Sequence, residues 1–185
     1  MLRRALLLLL ASSLALPAGA AEIEGVRFDP AQRVRGVPLQ LHGVGLLRVR
    51  WVVKAYVAAL YLGEGHAVGD ALAEGPRRLE IEYFWPIGAP DFARATLEGI
   101  GRNRDDATVA ALRERIDRIN RAYRDVEPGD RYALSYLPGI GTELALNGEP
   151  LCLVEGSDFA SAIFSIWLGE APLDRELKAQ LLGAR

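Results

Sequence analysis

The sequence is poor in the side chains that most often bind metals or form covalent intermediates. Its 185 residues include one cysteine, Cys152, and two histidines, His42 and His66. A lone cysteine forms no disulfide within the chain, and this one lies in the apolar run 151–154, which is typical of a small buried side chain. The histidines lack the spacing of metal ligands. We therefore expect no metal site, no catalytic thiol and no cofactor.

An excess of positive charge is also lacking. The chain has 22 basic and 24 acidic residues and a formal net charge of −2, whereas proteins that bind nucleic acids carry a strong positive field. The glycine-rich segments 99–101 and 139–142 do not lie between a strand and a helix, as phosphate-binding loops do. These observations argue against binding of nucleic acids and against a phosphate-binding loop.

Long apolar runs are absent except at the N-terminus. Arg3 and Arg4 precede the apolar run 5–16, and Ala18–Ala20 provides small residues at a cleavage point, which is the pattern of a secretory signal peptide. We predict that residues 1–20 are this signal peptide and that 21–185 form one domain. Cleavage leaves 20 basic against 24 acidic residues and no membrane span. The predicted location is the periplasm or the medium. The alternative, an uncleaved anchor, is disfavoured because the run is short for a bilayer.

The order of the predicted elements indicates the fold class. Alternating segments at 23–28, 37–41, 79–85 and 131–154 read as strands, and Asn147–Gly148 reads as a tight hairpin turn. Helices are predicted from Pro90, from Asp105 to Tyr123 and after residue 156. Strands followed by helices, twice over, favour an α+β domain in which helices cover a large antiparallel sheet.

The stretch Leu46–Leu62 contains no Gly or Pro and predicts a single long strand. Its odd positions are almost wholly apolar. Its even positions begin with Arg48 and Arg50, continue with Lys54 and Tyr56, and end in alanine and leucine. This face could line a cleft with cations at the mouth and an apolar floor, or it could be the solvated face of the sheet.

The cleft interpretation defines a candidate binding site. Arginine recognises a carboxylate with two hydrogen bonds, and a tyrosine hydroxyl adds a donor. Arg48, Arg50, Lys54 and Tyr56 are therefore the predicted ligand contacts. The partner would be an apolar carboxylate or another small hydrophobic ligand.

Several segments together resemble one known family. Lys54–Leu62 resembles its K-x-Y-x-A-A-L-Y-L strand, and Phe159–Gly169 resembles its F-x-x-A-I-F-x-I-W-L-G signature. Tyr136–Thr142 and Asn147–Gly148 occur between them in the expected order. On these motifs the chain is identified as a member of the chalcone isomerase-like family. The resemblance implies an open-faced β-sandwich, which is a large antiparallel sheet with helices on one side.

The resemblance also bears on activity. The isomerases cyclise a chalcone with an arginine before the long strand, a threonine on it, and a tyrosine and an asparagine or lysine on a following helix. Matched without gaps, these positions fall on Val44, Tyr56, Phe92 and Gly99, so the catalytic set is replaced. The fatty-acid-binding branch holds a carboxylate with a tyrosine, which corresponds to Tyr56, and an arginine, which corresponds to Arg48 or secondarily Arg50.

Three hypotheses follow from the sequence. The leading one is an exported, non-enzymatic protein that binds an apolar carboxylate such as a fatty acid. The second is an isomerase of the chalcone type with a rearranged site. The third is a structural or interaction protein of the periplasm, whose sign would be large side chains filling the space beside Tyr56.

Overall fold

The computed structural model describes residues 20–50, 52–64 and 72–183. The predicted signal peptide lies outside this range except for Ala20. Within the range, no helix is both long enough and apolar enough to cross a bilayer.

The core of the fold is a curled antiparallel sheet of seven strands, in the order β3-β4-β5-β6-β7-β8-β9. A separate short hairpin, β1 and β2, precedes it. Every sheet neighbour is also a neighbour in the chain, so the sheet is a continuous meander. The strands are β1 (Ala21–Ile23), β2 (Val26–Phe28), β3 (Ala31–Val34), β4 (Val37–Val49), β5 (Val53–Gly63), β6 (Arg77–Tyr83), β7 (Arg131–Leu137), β8 (Gly141–Leu146) and β9 (Glu149–Val154).

The described residues also form five helices: α1 (Ala89–Gly101), α2 (Asp106–Ala111), α3 (Arg113–Ala122), α4 (Ser157–Leu168) and α5 (Arg175–Leu181). Pro90 lies in the first turn of α1, and the Asp105 carboxylate caps α2 by accepting from the Thr108 amide at 2.7 Å. The helix predicted over 105–123 is interrupted at Leu112, where α2 ends and α3 begins. The predicted class, a large antiparallel sheet with a helical layer, is confirmed.

The prediction of one strand over 46–62 is wrong. The chain reverses between Val49 and Val53, so this segment forms the end of β4, a turn and β5. Arg50 adopts a left-handed backbone conformation with φ of 50°, which ends the strand. This reversal could not be predicted from local signals, because residues 50–52 include none of the glycine, proline or asparagine that usually mark turns. Residues 42–45, which separate the predicted strands 37–41 and 46–62, instead lie inside β4, where the register shifts at His42.

A second bulge sets which side chains of β5 face the helices. Leu47 pairs with Tyr56 but Arg48 pairs with Lys54, so Ala55 is an extra residue in β5. The bulge breaks the simple alternation, and Lys54 and Tyr56 lie on opposite faces of the sheet. Both faces of β5 beyond the bulge are buried. Tyr56, Ala58, Leu60 and Leu62 lie under the helices, whereas Val57, Ala59 and Tyr61 pack against the β1–β2 hairpin.

Candidate ligand-binding cavity

A cavity of about 290 Å³ lies between the sheet and the helical layer. Its floor is formed by β5, β6, β7 and β8, and its walls by α1, α3 and α4 with the segments beside them. Most of the lining is apolar. The lining residues are Tyr56, Leu79, Ile81, Tyr83, Ile87, Asp91, Phe92, Arg94, Ala95, Thr96, Tyr123, Tyr132, Leu134, Leu144, Ile166, Trp167 and Leu173.

Aromatic rings dominate one side of this cavity. Tyr83 lies at the centre of the group and contacts Tyr56, Phe92 and Tyr132 edge-on, while Phe92 stacks on Tyr123. The ring centroids of these four pairs are 5.3–6.1 Å apart. Edge-to-face contacts at these separations are favourable, so the rings form a firm wall.

Local sequence explains how each ring reaches the cavity. The alternation of β6 places Leu79, Ile81 and Tyr83 on one face of the sheet. Phe92 and Thr96 are four residues apart in α1 and therefore share a side of that helix. The helices approach closely because α1 has Gly99 opposite Ile166 of α4. A Cβ atom at Gly99 would lie 2.9 Å from the Ile166 side chain.

Most hydroxyl groups in the cavity are already paired within the protein. The Tyr132 hydroxyl accepts from the Arg124 amide at 2.8 Å and donates to the Arg124 carbonyl at 2.9 Å. Thr96 and Tyr123 share a hydrogen bond of 2.9 Å between their hydroxyls. These bonds connect α1, α3 and β7, so they hold the walls of the cavity in place.

The remaining buried pair is Tyr56 and Trp167. The indole Nε1 of Trp167 donates to the Tyr56 hydroxyl over 3.0 Å. Burial raises the pKa of Tyr56 well above its ordinary value and outweighs the hydrogen bond from Trp167. Burial also raises the pKa of Tyr123 to about 12 and outweighs the hydrogen bond with Thr96. Burial also raises the pKa of Tyr83 well above its ordinary value, and the neighbouring tyrosines add to this. These phenols are therefore neutral hydrogen-bonding groups at physiological pH.

Charged side chains reach the cavity only at its rim, among the described residues that line it. Asp91 and Arg94 lie there on α1, both more than half exposed, and the Arg94 guanidinium donates to the Asp91 carboxylate at 2.7 Å. An exposed pair of this kind contributes little stability. Arg94 is therefore a cation available at the mouth rather than inside the cavity.

The structure separates the four side chains that sequence reasoning brought together. Tyr56 lines the cavity. Arg48 and Lys54 instead form ion pairs with Glu24 of the β1–β2 turn, on the opposite side of the sheet. Arg50 lies at the end of the β4–β5 hairpin, where it shares a shallow surface cleft with Arg48 and the first residues of α5. The expectation that Arg48 and Tyr56 share a face is wrong because of the bulge at Ala55.

The four positions matched to isomerase catalytic residues do not lie together either. Tyr56 and Phe92 line the cavity, whereas Val44 packs in the cluster on the other face of the sheet and Gly99 serves the contact with α4. Sequence reasoning missed Tyr83, Thr96, Tyr123, Tyr132 and Trp167. The alternation of β6 and the four-residue spacing in α1 were signals for Tyr83 and Thr96, but nothing local linked them to α3, β7 or α4.

Comparison with known proteins shows which family this chain belongs to. A family model described as chalcone isomerase-like matches residues 20–183, which is nearly the whole chain. The chain belongs to the chalcone isomerase-like family. The resemblance noted in the motifs is thereby confirmed. A search of curated proteins finds no match.

Among solved structures, this chalcone isomerase-like chain is similar to the crystal structure of an Arabidopsis thaliana fatty-acid binding protein. The TM-score is 0.70 with 14% sequence identity, and the match covers 88% of this chain and 95% of that chain. At this level of identity the similarity establishes a shared fold and nothing finer.

Proposed function

We propose that this protein is an exported, non-enzymatic binding protein for a small hydrophobic ligand such as a fatty acid or another apolar carboxylate. The observation that carries the proposal is the open space beside Tyr56, about 290 Å³ with a largely apolar lining. A purely structural role predicts large side chains in that space. The rings of Tyr83 and Phe92 border it without closing it.

The chemistry of the lining agrees with such a ligand. Each methylene group transferred from water to an apolar site contributes about 0.8 kcal/mol, so affinity should rise with chain length until the cavity is full. Leu79, Ile81 and Leu134 offer the apolar contacts for this chain. The Arabidopsis protein of the same fold is described as binding fatty acids, which supports the proposal by analogy.

The ligand-contacting role of Arg48, Arg50 and Lys54 stays a prediction, and none of the three lines the cavity. Tyr56 is the predicted contact that the cavity supports. Export likewise remains a proposal, based on the N-terminal pattern of residues 1–20. It is tested by fractionating cells that express the full chain and determining the N-terminus of the mature protein, which should begin at Ala21.

The decisive experiment compares binding with the cavity open and blocked. Protein from its native compartment is analysed by native mass spectrometry, and the stripped protein is titrated with fatty acids of increasing length. Ala95→Trp places a large ring at the mouth, on an exposed position of α1. The matched control is Ala110→Trp, which changes an exposed alanine of α2 away from the cavity.

We expect a bound acid, affinity that rises and then levels off with chain length, and loss of binding in Ala95→Trp alone. No binding by the wild type, or equal binding by the two tryptophan variants, contradicts the proposal. Arg48→Ala tests the remaining prediction. Binding within the cavity leaves its affinity unchanged, whereas lost binding would assign the head group to Arg48.

A further inference from the structure

Tyr83 is a buried side chain with an unused hydroxyl group. It is 5% exposed, yet its hydroxyl has no hydrogen-bond partner among residues 20–50, 52–64 and 72–183. The Tyr83 oxygen is not among the fully enclosed side-chain atoms of that range that have no partner, so it borders open space. Tyr83 lines the cavity, and the cavity is therefore the space that we assign to this hydroxyl.

Tyr56 provides a second donor close by. Its hydroxyl accepts the indole proton of Trp167 at 3.0 Å, which leaves its own proton free to be donated. The rings of Tyr56 and Tyr83 are 5.7 Å apart and come from the adjacent strands β5 and β6. The cavity therefore has two unused hydroxyl protons on adjacent strands, and a single ligand oxygen has lone pairs for both.

The other polar groups of the lining have partners. Thr96 bonds to Tyr123, Tyr132 bonds to the Arg124 backbone, and Asp91 pairs with Arg94 at the rim. No cation of the described lining lies beside Tyr83. A carboxylate drawn down to the two hydroxyls would therefore bury a negative charge without a positive partner, which is costly.

We propose that the cavity takes its ligand with an uncharged oxygen-bearing group innermost, held by the hydroxyls of Tyr83 and Tyr56. The ligand class is a medium-length alkyl chain ending in an alcohol, a ketone, an ester or a protonated carboxylic acid. This inference rests on the proposed function and deepens it, because it states which protonation state of an acid is bound and which atoms recognise it.

The inference predicts a pH dependence that comes from the ligand. The titratable groups beside Tyr83 are Tyr56 from β5, Tyr132 from β7 and Tyr123 at the end of α3. The rest of the described lining adds Asp91 and Arg94 at the rim, and Asp174 lies near Tyr56. No histidine is among them. A carboxylic acid has a pKa of about 4 to 5, so its bindable fraction falls about tenfold with each pH unit above that value.

The experiment uses the mature protein and three probes of matched size: undecane, decan-1-ol and decanoic acid. Dissociation constants are measured by displacement of the neutral fluorophore N-phenyl-1-naphthylamine at pH 6, 7 and 8. We expect the constant for decanoic acid to rise about tenfold per pH unit, and the constants for the two neutral probes to stay level.

Tyr83→Phe removes one oxygen and keeps the ring. We expect it to lower the affinity for decan-1-ol relative to undecane by roughly 5- to 10-fold, the value of one hydrogen bond. Tyr61→Phe is the matched control because Tyr61 is a buried tyrosine of β5 that packs on the opposite face of the sheet, outside the cavity. Its ratio of alcohol to alkane affinity should equal that of the wild type.

Two results would overturn this inference while leaving the proposed function intact. One is an affinity for decanoic acid that does not change with pH, since the anion would then be the bound form. The other is an unchanged alcohol-to-alkane ratio in Tyr83→Phe. Failure of all three probes to bind would overturn both proposals. Binding of the probes, with the alcohol-to-alkane ratio lowered in Tyr83→Phe and unchanged in the control variant, supports both.

Discussion

Two tyrosines of the aromatic wall should respond in opposite ways to the same substitution. Tyr132→Phe removes a hydroxyl that bonds the amide and the carbonyl of Arg124 at 2.8 and 2.9 Å. Tyr83→Phe removes a hydroxyl with no partner among the described residues. In both variants the ring and its edge-on contacts remain.

The magnitudes follow from hydrogen-bond energetics. A typical intramolecular hydrogen bond contributes about 1 kcal/mol, and leaving a buried partner unpaired costs more. Tyr132→Phe breaks two such bonds, so we expect it to lower the free energy of unfolding by about 2–3 kcal/mol. Tyr83→Phe gives up no bond and relieves a poorly solvated hydroxyl, so we expect a change between zero and about 1 kcal/mol in the stabilising direction.

Thermal and urea unfolding of the mature protein, followed by circular dichroism, measure both changes. For a domain of this size, 1 kcal/mol corresponds to about 2–4 °C in Tm. Tyr132→Phe should therefore lower Tm by about 4–12 °C, whereas Tyr83→Phe should leave it level or slightly higher. An equal loss in the two variants would refute the reasoning, because it would show that the Tyr83 hydroxyl contributes to the fold as Tyr132 does.

Three further predictions concern other parts of the molecule. Gly43→Ala should lower the free energy of unfolding by about 1–3 kcal/mol, because the new Cβ would lie under 3.0 Å from backbone oxygens of α5. Urea unfolding measures this change. The control is Gly101→Ala, where a Cβ would meet no atom within 4 Å. The pKa of Asp130 is lowered by hydrogen bonds from the Glu127 amide and Asn147. Ionised Asp130 therefore stabilises the folded state at pH values above its unfolded pKa of about 4, and this stabilisation is lost as pH falls through the lowered folded value. When the free energy of unfolding is plotted against pH, Asp130→Asn should lose that part of the acid dependence. Curves of the same shape for the wild type and the variant would contradict this prediction. Absorbance assays should show no acceleration of chalcone cyclisation, since Arg94 at the rim is the one cation in the described lining; a rate that is lost in Tyr56→Phe would revive the isomerase hypothesis.

The sequence predicted the parts of this fold that depend on local signals. Asp105 does cap a helix, Pro90 does lie in a first helical turn, and Asn147–Gly148 does form a two-residue hairpin turn with both residues at positive φ. Each of these is decided by a few adjacent residues. The class, an antiparallel sheet with a helical cover, followed from the order of such elements.

The candidate site could not be predicted in the same way. The reversal at 50–52 has no turn residue, and the bulge at Ala55 moves Lys54 to the face opposite Tyr56. Simple alternation therefore assigned the cations to the wrong side of the sheet. The cavity also combines β6, α3 and α4, whose contacts are long-range and leave no pattern in any one segment.

The cavity's hydrogen-bonding capacity limits the ligands that it can accept. Thr96, Tyr123 and Tyr132 use their hydroxyls on each other or on the backbone, and Trp167 uses its indole proton on Tyr56. Each of those bonds also fixes a wall, so a ligand cannot take one over without loosening the fold. Among the described residues of the lining, the Tyr83 hydroxyl and one proton of Tyr56 remain for a ligand. Sugars, nucleotides and peptides bring more polar groups than these two can satisfy, and every unpaired group costs about 1–3 kcal/mol. If the cavity binds a ligand as proposed, the same bonds that hold the aromatic wall together restrict that ligand to an apolar molecule with a single small polar end.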